Sequence, residues 1–275
     1  MPTKTKVRNM FDSIAGDYDA LNHILSLDVD KIWRKKALKQ IVHAPAPARV
    51  LDLACGTGDF SIAIAKALSR SHKRVGTPIE ADVKAPAKAP VEAQVTSTGF
   101  VTGDSGRSDL MTKGHVTGVD LSEGMLAVMR EKVGKAGLAD MISIEEGDGE
   151  ALRFPDSTFD RVTIAFGIRN FENREKGLRE MLRVLKPGGR LVILELSRPE
   201  NKIIRWFYDL YFLHILPKIG GKVSGDKAAY AYLPASVAAF PGKKEFSATM
   251  RKAGFRAVTH KAFTLGICRM YTGEK

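Results

Sequence analysis

Val50-Leu-Asp-Leu-Ala-Cys-Gly-Thr-Gly-Asp59 joins an apolar run to a turn with two glycines, and the apolar stretch Phe60 to Leu68 follows at once. Val50, Leu51 and Leu53 predict a buried strand, Gly56 and Gly58 a tight turn, and residues 59–70 a helix. A strand that breaks through glycines into a helix brings backbone N–H groups close to whatever binds at the turn. One acid, Asp52, stands before the first glycine.

Outward from this junction the chain alternates strands and helices. Upstream, Phe11, Ile14, Tyr18, Leu21, Ile24 and Leu25 recur at helical spacing, and the pattern continues through Trp33 and Ile41 before Pro45 and Pro47 interrupt it. Residues 8–42 are therefore expected to be helical. Downstream, residues 71–113 are rich in Ala, Pro, Lys, Thr, Ser and Gly and have no sustained periodicity. A loop of that length inside a compact domain predicts a mostly disordered insertion.

Order returns with a strand over 115–120, a helix over 123–133 capped by Ser122, and strands over 141–145 and 159–166. A helix over 175–185 then stops at Lys186-Pro-Gly-Gly189, and a strand follows over 190–195. After the apolar, aromatic residues 201–219, a helix over 243–253 leads to an antiparallel pair, 257–262 with 266–272. The expected fold is α/β: a Rossmann-like, doubly wound sheet of seven mostly parallel strands, with that antiparallel pair at the C-terminus. N-terminal helices and a long disordered insertion complete it. It forms a single domain over 1–275. Within it, 1–49 is a helical cap, 50–70 and 114–200 the cofactor-binding core, 71–113 the low-complexity insertion, and 201–275 a substrate-covering segment with the closing strands.

The composition, 44% apolar and 27% charged, is that of a globular protein. Two cysteines, Cys55 and Cys268, exclude a disulfide framework and fit a reducing cytosol. Cys55 reads as a small turn residue, because no His or Asn partner for a nucleophile is evident. Met1 to Met10 has no apolar core or cleavage site of a secretory signal. No stretch reaches the roughly 18 apolar residues of a membrane span. A cytoplasmic protein is expected. The net charge of +12 is uneven: residues 201–275 hold 13 Lys and Arg against 4 Asp and Glu. A basic tail of this kind attracts anionic surfaces, nucleic acid or lipid, unless its lysines are simply solvated.

Two cofactor classes use a glycine turn after the first strand. For a dinucleotide the third glycine of G-x-G-x-x-G falls at position 61, where this chain has Ser61. Asp52 before the turn would repel a pyrophosphate, yet suits the ammonium of an amino-acid-bearing cofactor, met directly or through water. That charge argument favours S-adenosylmethionine. Asp120 ends the second strand, where an acid accepts hydrogen bonds from ribose hydroxyls. Asp148 and Gly149 end the third strand, beside an adenine ring. No metal ligands stand out.

The chain resembles the class I S-adenosylmethionine-dependent methyltransferases, and within them the quinone-biosynthesis C-methyltransferases. Leu51 to Asp59 carries the wider resemblance. The narrower one rests on Met10 to Asp19, Phe154 to Asp160, Ala165-Phe-Gly-Ile-Arg-Asn170, Arg183 to Arg190, Glu195 to Pro199, and above all Tyr208 to Gly220 with Tyr230 to Leu233. It covers nearly everything except 71–113. The resemblance implies cofactor contacts from Thr57, Asp120 and the pair Asp148–Gly149. Ala165 departs from a serine common in the family.

It also implies a prenylated quinol substrate, most narrowly demethylmenaquinol, with the polyprenyl benzoquinol of ubiquinone synthesis, another phenol or a sterol as alternatives. A quinone ring is electrophilic, so the acceptor must be the reduced quinol, made nucleophilic as a hydroxyl loses its proton. Arg169 and Asn170, just past the fourth strand, are the expected catalytic contacts to that phenol, with Tyr18 and His214 as further candidates. A structural ion pair with a helix acid is the other reading of Arg169. The apolar run 203–216, broken by Arg205, Asp209 and His214, reads either as a helix over the active site or as one in a membrane interface. Peripheral contact with the inner face of the cell membrane is expected. Nucleic acid is not, since the tail lacks a basic stripe with stacking aromatics. Homo-oligomerisation is left open.

Overall fold

The computed structural model describes residues 3–16, 18–19, 28–42, 48–75, 114–211 and 227–275. Most of the expected insertion, His214, Pro45 and Pro47 lie outside the described residues. The elements run α1 (Lys4–Ile14), α2 (Val29–Val42), β1 (Arg49–Leu53), α3 (Asp59–Val75), β2 (His115–Asp120), α4 (Glu123–Lys135), β3 (Ile142–Glu146) and β4 (Phe159–Ala165). They continue with α5 (Arg174–Val184), β5 (Leu185–Leu196), α6 (Lys202–Leu210), α7 (Lys227–Ala238), α8 (Lys243–Lys252), β6 (Arg256–Phe263) and β7 (Cys268–Glu274).

The seven strands form one sheet in the order β3-β2-β1-β4-β5-β7-β6. The first five are parallel to their neighbours, while β7 is antiparallel to both β5 and β6. Both faces are buried, so alternate strand residues enter different cores. Val50, Val192 and Leu194 pack with α2, α3 and α4, whereas Leu51, Leu53, Ile164 and Ile193 pack with α5 and α8. The chain reverses its direction of strand addition between β1 and β4. At such a switch point the connections leave in opposite directions, and a crevice opens beyond the carboxyl ends of the strands.

Two expectations shift, and one helix was not expected. The N-terminal helical pattern resolves, among the described residues, into α1, which begins four residues before position 8, and the separate α2. Lys186-Pro-Gly-Gly189 does stop α5, but these residues already belong to β5, where the pairing with β4 shifts register between Phe159 and Arg161. Helix α7 carries Pro234 inside it, a residue that reads as a breaker in sequence. Among the described residues no helix is long and apolar enough to cross a membrane.

Candidate active site

The carboxyl ends of β1 to β4 surround a cavity of about 80 Å³. Asp120, the last residue of β2, lines it with a carboxylate locked by backbone donors. The Gly56 N–H donates to Oδ2 at 2.8 Å and the Ser122 N–H to Oδ1 at 2.9 Å. Each oxygen keeps lone-pair capacity for a ligand hydroxyl. Burial raises the pKa of Asp120, and the two N–H donors counter this in part.

Asp148 lines the same cavity. It accepts from the Glu150 N–H at 2.9 Å and pairs with the Lys4 ammonium at 2.7 Å; Lys4 also meets Glu150 at 2.9 Å. Gly149 lines it as well, and its lack of a side chain has a packing cause: a Cβ would come 2.6 Å from the Phe171 ring. Ala54 and Phe166, at the ends of β1 and β4, adopt φ values of +48° and +61°. Positive φ at two non-glycine residues concentrates backbone strain on the cavity wall.

Helix α1 closes this cavity from above. Asp12 accepts from the Ser122 hydroxyl at 2.6 Å and the Gly124 N–H at 3.0 Å, placing a carboxylate on the N-terminus of α4. Arg8 pairs with Glu146 at 3.1 Å. Lys4, Arg8 and Asp12 repeat every four residues and so lie along one face of α1.

Of the residues expected from sequence, Gly56, Asp120, Asp148, Gly149 and Asn170 line this cavity. Asp52, Thr57, Gly58 and Arg169 do not. Asp52 is 1% exposed on the α3 side of β1 and accepts a hydrogen bond from Ser61 at 2.6 Å. Burial pushes its carboxyl up to about 7. Ser61, which replaces the third glycine of a dinucleotide motif, thus serves as its anchor. Thr57 donates to Asp19 at 2.5 Å. At Gly58, φ is +83° and a Cβ would lie 2.4 Å from Met129, so the glycine admits α4 rather than a ligand. Burial raises the Cys55 thiol well above its ordinary value, in keeping with a turn residue.

A second, larger and mainly apolar cavity of about 460 Å³ adjoins the first, sharing Tyr18 and Phe166 as walls. Trp33, Ile204, Phe207, Leu233 and Leu265 supply apolar wall. The Trp33 indole N–H donates to Thr264 at 2.8 Å, tying α2 to the β6–β7 connection. Arg169 lines this cavity and is 5% exposed. Its guanidinium pairs with the fully buried Glu195 at 2.9 Å, and Glu195 also accepts the Arg169 N–H at 3.0 Å. The ion-pair reading of Arg169 is therefore realised with a strand acid. Burial pulls the pKa of Arg169 down, but Glu195, Tyr18 and Tyr232 together outweigh it and the net shift is upward. Asn170 accepts from the Tyr232 hydroxyl at 2.9 Å.

The model of the ubiE/COQ5 methyltransferase family matches residues 2–275. The chain belongs to that family. A relative in Geobacter sulfurreducens, ubiquinone/menaquinone biosynthesis C-methyltransferase UbiE, is 44% identical over 98% of this chain and 88% of that protein. The demethylmenaquinone methyltransferase of Deinococcus radiodurans is 41% identical over 98% of this chain and 92% of its own length. Among solved structures, the [4+2]-cyclase SpnF superposes with a TM-score of 0.64 at 16% identity, covering 100% of this chain and 97% of that one. A SAM-dependent methyltransferase from Aquifex aeolicus gives 0.51 at 20% identity, over 87% and 88%. These two likenesses concern the fold. One of them is a cyclase, so the fold alone does not choose the reaction.

For a member of the ubiE/COQ5 family, the sequence left several site residues unseen. Lys4, Arg8 and Asp12 come from α1, Glu195 from the interior of β5, and Tyr232 from α7 beside its masking proline. Asp30 and Arg34, on the wall of the second cavity, are one turn apart in α2. Their spacing resembles that of any exposed helical ion pair, and only the fold buries them.

Proposed function

We propose that this protein transfers a methyl group from S-adenosylmethionine to a ring carbon of a prenylated quinol, demethylmenaquinol being the acceptor. The observation that carries the reading is the contact of two unlike cavities through Tyr18 and Phe166: one polar and rimmed by acids, the other wide and apolar. A charged nucleoside and a greasy ring can there be held against one wall.

The residues present fit the methyl donor, which supplies an electrophilic methyl on a sulfonium. Asp120, immobilised by two backbone donors, takes the ribose hydroxyls. Asp148 and Gly149 receive the adenine, with Phe171 behind Gly149. Gly56 and Thr57 shape the turn, and Gly58 lets α4 pack beneath it. Asp52 acts from behind the turn as the negative charge for the ammonium. Asn170, oriented by Tyr232, stands on the edge nearest the second cavity. Arg169, already balanced by Glu195, serves as a fixed dipolar contact to the ring oxygen rather than as an uncompensated cation. Alignment of carbon and methyl supplies most of the rate, because the methyl is already activated.

The apolar cavity ends at an exposed apolar surface. Ile203 is 70% exposed, Trp206 61%, Phe207 60% and Leu265 72%. Lone exposed side chains need no explanation, but α6 gathers four, Leu210 being the fourth. We read this face as lying in the headgroup region of an anionic membrane, where a prenyl tail leaves the cavity directly into lipid.

The test is to incubate the purified protein with methyl-labelled S-adenosylmethionine and either demethylmenaquinol or a prenylated benzoquinol under reducing conditions. Label entering the naphthoquinol ring supports the reading; label entering neither ring sinks it. Cells lacking the protein should accumulate demethylmenaquinone. Co-sedimentation with vesicles containing phosphatidylglycerol, weakened several-fold by Trp206→Ala, checks the membrane contact; equal binding by the variant removes it.

A further inference from the structure

The acceptor ring becomes nucleophilic only as its hydroxyl proton departs, so the wall of the ring site needs a proton acceptor. We propose that Asp30 is that acceptor, and hence a catalytic residue. The inference rests on the quinol reading above and deepens it by assigning the base.

The wall of the apolar cavity narrows the choice. Among the described residues lining it, Asp30 is the only carboxylate, and no histidine is present. Arg34 and Arg169 line it too, but a guanidinium has no acceptor capacity. Tyr18, Tyr208 and Tyr211 carry phenols, which accept a proton only after giving up their own. Burial raises the pKa of Tyr208 and of Tyr211. Glu195 is absent from the cavity wall and is engaged by the Arg169 side chain and the Arg169 and Leu196 N–H groups.

The surroundings of Asp30 suit a carboxylate that must serve in apolar company. It lies in the first turn of α2, where the helix end favours negative charge, and is 4% exposed. One turn on, the Arg34 guanidinium lies 3.5 Å away and is itself held by Asp59 at 3.0 Å. The same guanidinium sits 5.7 Å from the centre of the Phe166 ring, one of the two walls shared with the polar cavity. Asp30 is thereby tied, through Arg34, to a residue that both cavities share. Among the described residues, the charged or titratable groups around it are Lys31 and Arg34 on its own helix, Asp59 of α3 behind Arg34, Arg169 past β4, and Tyr18, Tyr208 and Tyr211 on the same wall. A carboxylate buried in an apolar wall is costly to keep unless it has work there.

In the step assigned to it, the quinol O–H bond breaks and its proton passes to the Asp30 carboxylate. The ring's electron pair forms the new carbon–carbon bond as the carbon–sulfur bond breaks, that pair remaining on sulfur. The hydrogen on the methylated ring carbon then leaves as a proton to water, which restores the aromatic ring as its phenolate. Asp30 returns its proton to that oxygen, giving the quinol. One proton is released for each methyl transferred.

The test compares wild type, Asp30→Asn and Asp30→Glu, with prenylated quinol and S-adenosylmethionine supplied. In Asp30→Asn, kcat should fall by about a hundredfold or more, KM should stay within about threefold, and the acidic limb of the kcat–pH profile should vanish. Activity should recover toward alkaline pH, where the substrate hydroxyl ionises by itself. Asp30→Glu should restore the acidic limb and at least about tenfold of the lost rate. Binding is read independently in a Trp206→Phe background, by quenching of Trp33 fluorescence with menadione, and should be unchanged. An unaltered kcat and pH profile in Asp30→Asn overturns the assignment, as does loss of menadione quenching, which would make Asp30 a shaper of the cavity. If wild type methylates neither naphthoquinol nor benzoquinol, the functional reading itself falls. If wild type is active and Asp30→Asn matches it, only the role of Asp30 falls.

Discussion

Asp52 and Asp120 lie on neighbouring strands, and both are raised by burial, yet they answer to different partners. Asp120 is gripped by the N–H groups of Gly56 and Ser122. Replacing it with Ala strands both donors at roughly 1–3 kcal/mol each. The expected outcome is a lower Tm together with loss of S-adenosylmethionine binding by isothermal titration. Asp52 instead accepts from the Ser61 side chain, and its carboxyl lies at about 7 against an ordinary 3.8. The fold therefore favours its neutral form. As pH rises from about 4, the unfolded chain gives up this proton first, so the native state loses stability until about pH 7 and then levels off. Asp52→Asn should leave Tm nearly unchanged at pH 4 and raise it by about 3–8 °C at pH 8 in thermal melts. Binding of the cofactor should show the opposite preference. An ammonium calls for ionised Asp52, so wild-type affinity should tighten up to about tenfold from pH 6 to pH 7, and the Asn variant should show a flat profile. The sequence made the acid before the glycines visible, but not its desolvation, because burial depends on α2 and α3 closing over β1.

At the scale of elements, legibility followed the strength of local signals. The β1 turn, the Ser122 cap and the closing antiparallel pair were readable because each has a short-range cause: glycines, a capping hydroxyl and apolar alternation. The Ser122 hydroxyl indeed accepts from the Met125 N–H at 3.2 Å. Helix α7 was hidden by Pro234, and the early start of β5 by Pro187 and Gly188, since tertiary pairing overrode local preference there. The role of α1 was hidden for another reason. Its contacts to α4 and Asp148 span more than a hundred residues and have no local trace. Asp12→Ala removes the acceptor shared by Ser122 and Gly124. It should loosen α1, seen as faster hydrogen exchange over residues 4–14, and weaken S-adenosylmethionine about three- to tenfold. Gly149→Ala should be harsher. The Phe171 ring is slotted between Gly149 and Gly177, where added Cβ atoms would come within 2.6 and 2.5 Å. A loss of about 1–3 kcal/mol in denaturant unfolding is expected.

For the whole molecule, the alternation of strands and helices was enough to predict seven strands with a parallel majority, and the sheet order places the site at the β1–β4 reversal. What the sequence withheld was the second cavity, assembled from α2, α6, α7 and the β6–β7 connection, segments that meet only in three dimensions. The crossover from α3 to β2 needs only a short connection in folds of this kind. Replacing residues 78–111 with a four-residue Gly/Ser linker should therefore keep Tm within about 3 °C and leave methyl transfer intact. A large loss of either would give that segment a structural or catalytic role.

The partition at Tyr18 and Phe166 has a kinetic meaning. Each cavity has its own frame, α1 with the ends of β1 to β4 on one side and α2 with α6 on the other. Neither substrate has to pass through the other's chamber, so no compulsory order of arrival is built in. Initial-rate plots should intersect rather than run parallel. The spent donor, S-adenosylhomocysteine, should compete with S-adenosylmethionine but not with the quinol, and the ring product should do the reverse. On the proposed reading, a water-borne donor and a lipid-borne quinol then exchange at independent rates, each set by its own phase.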